Sequence, residues 1–533
     1  LQLMAAIDDV WRTRPSDVKQ NVDALVEALG RSARLTPLDD LPPLELVPAA
    51  LDQIAKGFDS EWGGFGNAPK FPSTMTLDLY LCAMALGVDS DGLGANIVRT
   101  SLDAMASGGM YDHIGGGFAR YSVDRQWLVP HFEKMLYDQA LLVRVYTHAA
   151  AQFGSATDAQ VAHETITYVL RDLRHPDGGF YSAEDADSPD EHGHGHEGLF
   201  HTWTPAEVRS VLGPSAEAVL DWYEFTDGGN FEGRTIPSRL THRGQLLRPA
   251  HIEEARTALF AHREQRRRPG LDDKVVLEWN ALMLSSLCEA AALFQRSDWR
   301  DAAIANGEFL ARELRGADGR WFRTWHAEGT PQARHMALAA DHAALIDAFT
   351  RLGELTGEAR WTQLALEVAD TLLLHHWDHE AGGVFTTPDD GEQLVVRQKD
   401  LLDNATPSAN STTALALLRL AAITGEQRLA QHADQVMRLL GTAAPQAPSA
   451  FSQLLGTLWM RHVGVTQIVV TGDRPDLVQA VQRRWLPHGV LAWGQRLDGP
   501  LWADRPDGFA YVCRDHVCQL PVNTTDALAA QLL

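Results

Sequence analysis

Six times along the chain, a glycine-rich turn carrying a bulky residue follows a stretch with helical patterning. Trp62-Gly63-Gly64-Phe65, Gly115-Gly116-Gly117-Phe118 and Gly178-Gly179-Phe180 are the tight copies. Gly228-Gly229-Asn230-Phe231, Asp318-Gly319-Arg320-Trp321 and Gly382-Gly383-Val384-Phe385 are looser ones. The first four lie roughly 50 to 65 residues apart, the spacing of a supersecondary unit that needs neighbours to bury its apolar face. Glycine supplies the positive φ that a sharp reversal after a helix requires, and the aromatic ring plugs the turn. Between the turns, residues 138–153, 281–294, 360–375 and 412–424 are rich in Ala and Leu, with apolar residues three and four apart. About twelve helices in pairs, with their glycine-rich turns at one end, predict an all-α chain closed into an (α/α)6 six-hairpin toroid. An open solenoid is the alternative, but long turns gathered at one end suit a central pocket.

Both ends break the pattern. Residues 1–34 read as amphipathic helix and run into a Pro-rich linker at 35–48, so the expected toroid occupies 49–460. Residues 466–470, 475–485 and 489–493 read as strand, helix and strand, which predicts a small α/β appendix over 461–533. The chain opens on Leu1 rather than Met, as a piece of a longer chain would.

A formal charge of −24 opposes nucleic acid and anionic lipid as partners. No apolar run approaches the roughly 20 residues that span a bilayer, and the N-terminus lacks the basic and apolar regions of a signal peptide. Four cysteines are too few to staple 533 residues. The expectation is therefore a cytoplasmic protein with reduced thiols.

Four polar constellations are candidates for chemistry. Glu184, Asp185 and Asp187 crowd three carboxylates behind a Gly-Gly-Phe turn, so a pKa should rise there or a cation should bind. Such pairs protonate leaving oxygens and activate water. Pro130 is expected to precede a helix on which His131, Lys134 and Asp138 share a stripe. Trp127, Glu133 and Tyr137 lie in the same stretch, with Tyr111, His113 and Arg120 upstream. Asp272, Asp273 and Lys274 read as a helix start leading to Trp279 and Asn280. The segment 403–411, with Asn404 and Asn410, is polar and precedes a helix that Ser408 or Asn410 would cap. Helix capping and ion pairing are the competing accounts of all four. His192, His194 and His196 lack a second ligand cluster, so no metal is expected. Cys513 and Cys518 lack C-x-x-C spacing, leaving a dithiol or half a zinc site as the minority readings. No nucleotide-binding fingerprint is present and no cofactor is expected.

The blocks 64–72, 111–118, 120–138 and 179–188, with Asp272-Asp273-Lys274, Trp279-Asn280 and 407–411, resemble the spermatogenesis-associated thioredoxin-like family from about residue 57 onward. That resemblance implies an N-terminal thioredoxin-like domain joined to a six-hairpin toroid akin to glycosidases and N-acylglucosamine 2-epimerases. Residues 1–34 are similar to the last helix of the thioredoxin-like domain, and no C-x-x-C motif occurs here. The family usually has Gln where His113 stands and Gly where Ala409 stands. Toroid relatives bind sugars between carboxylates, histidines and Trp faces, and 15 Trp against 9 Tyr fit that use.

The resulting expectation is a carbohydrate-active enzyme, a sugar isomerase/epimerase or a glycoside hydrolase, acting on a small-molecule substrate. His131, Glu184, Asp185 and Asp187 would be catalytic. Tyr111, His113, Arg120, Trp127, Glu133, Lys134, Tyr137, Asp138, Asp272, Asp273, Lys274, Trp279, Asn280, Asn404 and Asn410 would bind substrate. A thioredoxin-linked redox or chaperone-like factor using the toroid as a platform, or a pseudoenzyme with a sugar pocket, are the alternatives. Oligomeric state is not legible.

Overall fold

The structure, a computed structural model, describes residues 2–32, 35–89, 91–327, 331–514 and 517–532. In chain order the helices are α1 (Gln2–Thr13), α2 (Pro15–Ser32), α3 (Leu46–Ala55), α4 (Thr74–Ala85), α5 (Leu93–Ser107), α6 (Leu136–Phe153) and α7 (Ala156–Asp172). An excursion carries α8 (Pro205–Leu212), α9 (Ala216–Trp222) and α10 (Ala250–Arg263). Then follow α11 (Leu277–Phe294), α12 (Ser297–Glu313), α13 (Ala339–Thr356), α14 (Ala359–His375), α15 (Ala409–Thr424), α16 (Gln427–Leu440) and α17 (Ser452–Val463). The appendix holds α18 (Pro475–Gln482) and α19 (Thr525–Gln531).

The contact pattern closes into a ring. Helices α4, α6, α11, α13, α15 and α17 each touch the next, and α17 returns to α4. Helices α5, α7, α12, α14 and α16 lie outside their partners, and α3 packs on α17. This is the (α/α)6 toroid, and its inner helices are buried on nearly every face. Uniform burial of that kind marks a helix enclosed all round.

Three of the turns share one construction. Asp59, Asp112 and Asp378 accept a backbone N–H from Gly63, Gly116 and Gly382 at 2.7, 2.8 and 2.9 Å. The same aspartates donate their own N–H groups to the carbonyls of Gly64, Gly117 and Gly383 at 3.0, 2.9 and 2.9 Å. Lys70, Lys134 and Lys399 then close the turns. Each Nζ lies 2.6, 2.8 or 2.7 Å from its aspartate carboxylate and 2.7, 2.9 or 2.7 Å from a glycine carbonyl. Positive φ and close approach both demand glycine here. A Cβ on Gly64, Gly117 or Gly383 would lie 2.6, 2.5 or 2.6 Å from Trp127, Tyr168 or Leu439.

An amide on the next inner helix clasps the residue after each of three turns. Gln139, Asn280 and Asn410 accept from the backbone N–H of Phe118, Phe180 and Val384, each at 2.8 Å. Their side-chain amides donate back to the same residues' carbonyls at 2.7, 2.9 and 3.0 Å.

Several expectations are corrected. Gly228-Gly229-Asn230-Phe231 lies in the excursion and is not a ring turn, and Phe231 packs on Phe132. The helix after Pro130 begins only at Leu136. Pro130–His131 and Lys134–Met135 are short strands, so His131, Lys134 and Asp138 share no helical stripe. Asp272 is likewise in a strand, paired with Ala183, and α11 starts five residues later. The segment 35–48 is not a free linker: Leu38 donates its N–H to Arg438 and Pro42 packs against Gly441. Cys513 and Cys518 form a disulfide, against the expectation of reduced thiols. Asp515 and His516 between them lie outside the described residues, as do Leu1, Ala33 and Arg34.

The appendix follows the expected strand–helix–strand. Thr466–Val470 pairs in parallel with Gly489–Ala492 and antiparallel with Ala510–Arg514. It caps the ring at the C-terminal ends of the inner helices, where Arg419 donates to the Gly489 carbonyl at 3.0 Å and Leu491 donates to Glu354 at 2.9 Å.

Removing a clasp orphans buried backbone groups, each worth about 1–3 kcal/mol when unsatisfied. Asn280→Ala should therefore lower unfolding free energy by about 2–4 kcal/mol in urea titrations. Lys19→Ala, at an exposed i,i+4 pair, should change it by less than about 0.5 kcal/mol.

Candidate active site at the toroid mouth

The inner helices run parallel, so their N-termini and the glycine-rich turns gather at one end. Acidic residues stand in the first turns of three of them: Asp138 on α6, Glu278 on α11 and Asp341 on α13. A cavity of about 610 Å³ opens there, with Phe71, Arg120, Tyr137, Asp138, Asp403 and Asn404 in its wall.

Asp138 is 6% exposed, and among the described residues its Oδ2 has no hydrogen-bond partner. Burial pushes its carboxyl well above the ordinary range; Arg120 opposes the rise and Glu133 adds to it. Arg120 is shared, donating to Glu133 at 3.2 Å and facing Tyr137. Asp403, lining the same cavity, is 8% exposed. Burial raises it to about 6, against N–H donation from Ser408 and Gln453 at 2.9 Å each. Ser408 itself is the N-cap of α15.

A second acidic pair adjoins this wall. Burial and the neighbouring Asp341 carboxylate push Glu278 up to about 7, while Arg323 and a hydrogen bond with Thr406 hold it down. Asp341 is also raised by burial, but it accepts N–H groups from Glu278 at 3.0 Å and Leu338 at 2.7 Å and an Arg323 bond at 2.9 Å. The better-satisfied Asp341 therefore carries the charge of the pair, and Glu278 the proton. Trp279 meets Tyr137 edge to face at 5.0 Å. Buried, protonatable carboxyls beside an arginine and aromatic faces can deliver protons to an oxygen-rich substrate.

The structure brings together only part of the set expected from sequence. Arg120, Tyr137, Asp138 and Asn404 line the cavity. Glu133 and Trp279 contact that wall. Glu184 is buried elsewhere, accepting from Tyr168 at 2.7 Å and from Arg268 at 2.8 Å. Asp185 and Asp187 are exposed. His131 pairs through Nδ1 with Glu197 at 2.8 Å and leans on Tyr121. Lys134 is the lysine of a turn lock. Tyr111 donates to Glu164, and Trp127 donates to the Trp62 carbonyl at 2.8 Å. His113 is buried against the Gly108 carbonyl, and burial lowers it to about 4. Asp272 pairs with Lys274 at 2.9 Å, and Asp273 is half-buried. Asn280 and Asn410 are turn clasps.

Glu278 and Asp341 are not among the candidates expected from sequence, and Asp403 is there only as the first residue of the segment 403–411. The one sequence signal for Glu278 and Asp341 is an acidic residue in the first turn of successive inner helices, which macrodipole complementarity explains equally well. The tryptophan excess serves packing more than the mouth: Trp127, Trp203, Trp299 and Trp361 are fully buried.

No family profile matches the chain. Spermatogenesis-associated protein 20 of Homo sapiens is 32% identical across 98% of this chain and 74% of its own length. The chain belongs to that family. The Mus musculus member is 32% identical across 92% of this chain and 68% of its own. Neither match shows a thioredoxin-like domain in the residues described. Among solved structures, a cellobiose 2-epimerase from Bacillus thermoamylovorans is similar at a TM-score of 0.49, with 9% identity over 75% of this chain and 87% of that one. A D-mannose isomerase is similar at 0.48, with 10% identity over 78% and 86%. Among the described residues, no helix of this family member is long and apolar enough to cross a membrane.

A carboxyl whose folded pKa is raised binds its proton more tightly folded than unfolded, so stability falls as pH rises above the unfolded value. Asp138→Asn removes that penalty. Its melting temperature relative to the unmutated chain should climb between pH 5 and pH 8; a difference that stays flat contradicts a raised Asp138.

Proposed function

We propose that this chain is a carbohydrate-active enzyme that works by general acid–base catalysis in the toroid mouth. One observation carries the reading: Asp138 and Asp403, two buried carboxyls with raised pKa, face one cavity of about 610 Å³. Asp138, with its unpartnered Oδ2, is the proton donor. Asp403, near 6, changes protonation within reach of neutral pH and takes the base role. Arg120 and Asn404 hold hydroxyl or carboxylate groups of the substrate, and Tyr137 with Trp279 offers the aromatic face that pyranose rings stack upon.

Between the two reaction classes, glycoside hydrolysis has the better support. Epimerisation beside a carbonyl calls for a base that reaches a C–H proton, typically a histidine. Among the described residues, none of the mouth cavity's wall residues is a histidine. Hydrolysis needs only the two carboxyls, one protonating the leaving oxygen and one activating water or attacking the sugar carbon.

A panel of nitrophenyl glycosides, disaccharides and reducing sugars, followed by product chromatography, tests the proposal. Turnover should appear with a glycoside, and Asp138→Asn should cut kcat by about 10²–10⁴. Asp187→Ala should stay within about two-fold, since its side chain is exposed outside the mouth. Turnover that survives Asp138→Asn unchanged sinks the assignment, and interconversion of reducing sugars without hydrolysis moves the chemistry to the isomerase class.

A further inference from the structure

A second chamber lies on the ring axis beyond the mouth, enclosed at the far end by residues 484–491 of the appendix, with a volume of about 180 Å³. Met75 borders both spaces, and the hydrogen-bonded pair Thr76–Ser452, 2.8 Å apart, stands beside it. The chamber wall is densely charged. Glu289 is met by Arg144 at 2.9 Å and by Arg351 at 2.5 Å, Glu354 by Arg419 at 2.6 Å, and Asp78 by His148 at 2.5 Å. Every carboxylate in the wall thus has its cation. Arg484, half-buried in the same wall, has no carboxylate partner among the described residues. His488 and Thr147, both buried wall residues, also have polar atoms without partners among the described residues.

The space is held open by sequence. Gly456 sits inside α17 and borders the chamber. A Cβ there would meet nothing closer than Leu79 Cδ1 at 3.8 Å, and the backbone is ordinary helix. Glycine in a helix interior sacrifices helix stability that any side chain would restore. Neither packing nor backbone geometry demands glycine here, and its lack of a side chain leaves the chamber wider at that point.

We propose that this chamber binds a small organic anion, its charge met by Arg484 and its apolar body by Leu79, Leu355 and Met460. An anion that gives up part of its hydration needs a countercharge, and the wall offers one uncommitted guanidinium among apolar side chains. The site is separate from the mouth, and its occupancy does not depend on the reaction proposed there.

Titration calorimetry on the whole chain tests this with benzoate, phenyl phosphate and the neutral benzamide as probes. Benzoate or phenyl phosphate should bind at one site, and benzamide at least ten-fold more weakly. Arg484→Gln should weaken the anion at least ten-fold with an unchanged melting temperature, because no ion pair is lost. Gly456→Leu should fill the chamber and remove binding without lowering the melting temperature; if that variant fails to fold, Arg484→Gln carries the decision. Asp138→Asn should leave anion binding unaltered, which separates this site from the mouth. No saturable heat from either anion, equal binding of benzamide, or full binding by Arg484→Gln would each overturn the proposal.

Discussion

The aspartate–glycine turn locked by a lysine ammonium is the interaction on which the rest of the molecule depends. A toroid needs each outer helix to reverse sharply and deliver the chain to the next inner helix. Such a reversal exposes backbone groups in a place the ring then buries. In the turns at Asp59, Asp112 and Asp378 the carboxylate takes two backbone N–H groups following it, and the lysine takes the carboxylate together with a glycine carbonyl. Lys70 and Lys134 are almost wholly buried. A buried ammonium is tolerated only when paired and hydrogen-bonded. Each lysine is therefore committed to the turn and unavailable to a substrate. The amide clasps of Gln139, Asn280 and Asn410 then fix the inner helices to those turns, which sets where the first-turn acids stand.

That dependence explains which parts of the site were legible in sequence. The repeated Gly-Gly-aromatic turns announced the ring because their geometry admits little besides glycine. The strand–helix–strand of the appendix followed from its apolar pattern. Chemistry was harder to read, because the residue types that catalyse are also those that lock turns. Lys134, Asn280 and Asn410 stand in dense polar motifs because a buried reversal requires them. Glu184 stands in one because Arg268 and Tyr168 enclose it. Conversely, Glu278 and Asp341 looked like ordinary helix-start acids. Their burial and mutual repulsion depend on two neighbouring inner helices packing side by side, which no local pattern encodes. Tyr137, Asp138 and Arg120 were found because the turn lock and the mouth share one loop.

The parallel inner helices also give the axis a polarity. The mouth faces helix N-termini, where anions are favoured, and the appendix covers the C-termini, where cations are. Asp138, Glu278 and Asp341 at one end, and Arg351 and Arg419 toward the other, follow that field. Yet the mouth acids are raised, not lowered. Magnitudes decide this. Holding Asp403 near 6 instead of 3.8 corresponds to on the order of 3 kcal/mol against the ionised form, whereas a helix terminus contributes about 0.3–1 kcal/mol in its favour. Desolvation wins wherever the acid is buried and lacks a dedicated cation. Asp112 shows the opposite balance: Arg263 and Lys134 lie within 2.9 Å and hold it well below the usual range despite complete burial.

A committed cation marks several of the buried carboxylates as part of the frame. Asp112, Glu184 and Glu289 each have an arginine or a lysine in contact, and each belongs to the frame. Asp138 and Asp403 have no ion-pair partner within salt-bridge distance among the described residues, and both face a cavity large enough for a sugar. Of the arginines in the far chamber's wall, Arg484 is the one without a carboxylate partner among the described residues. Where the neighbouring charges of a cavity wall are paired, an unpaired one is informative, because leaving an ionisable group unpaired costs stability that packing alone would have spared.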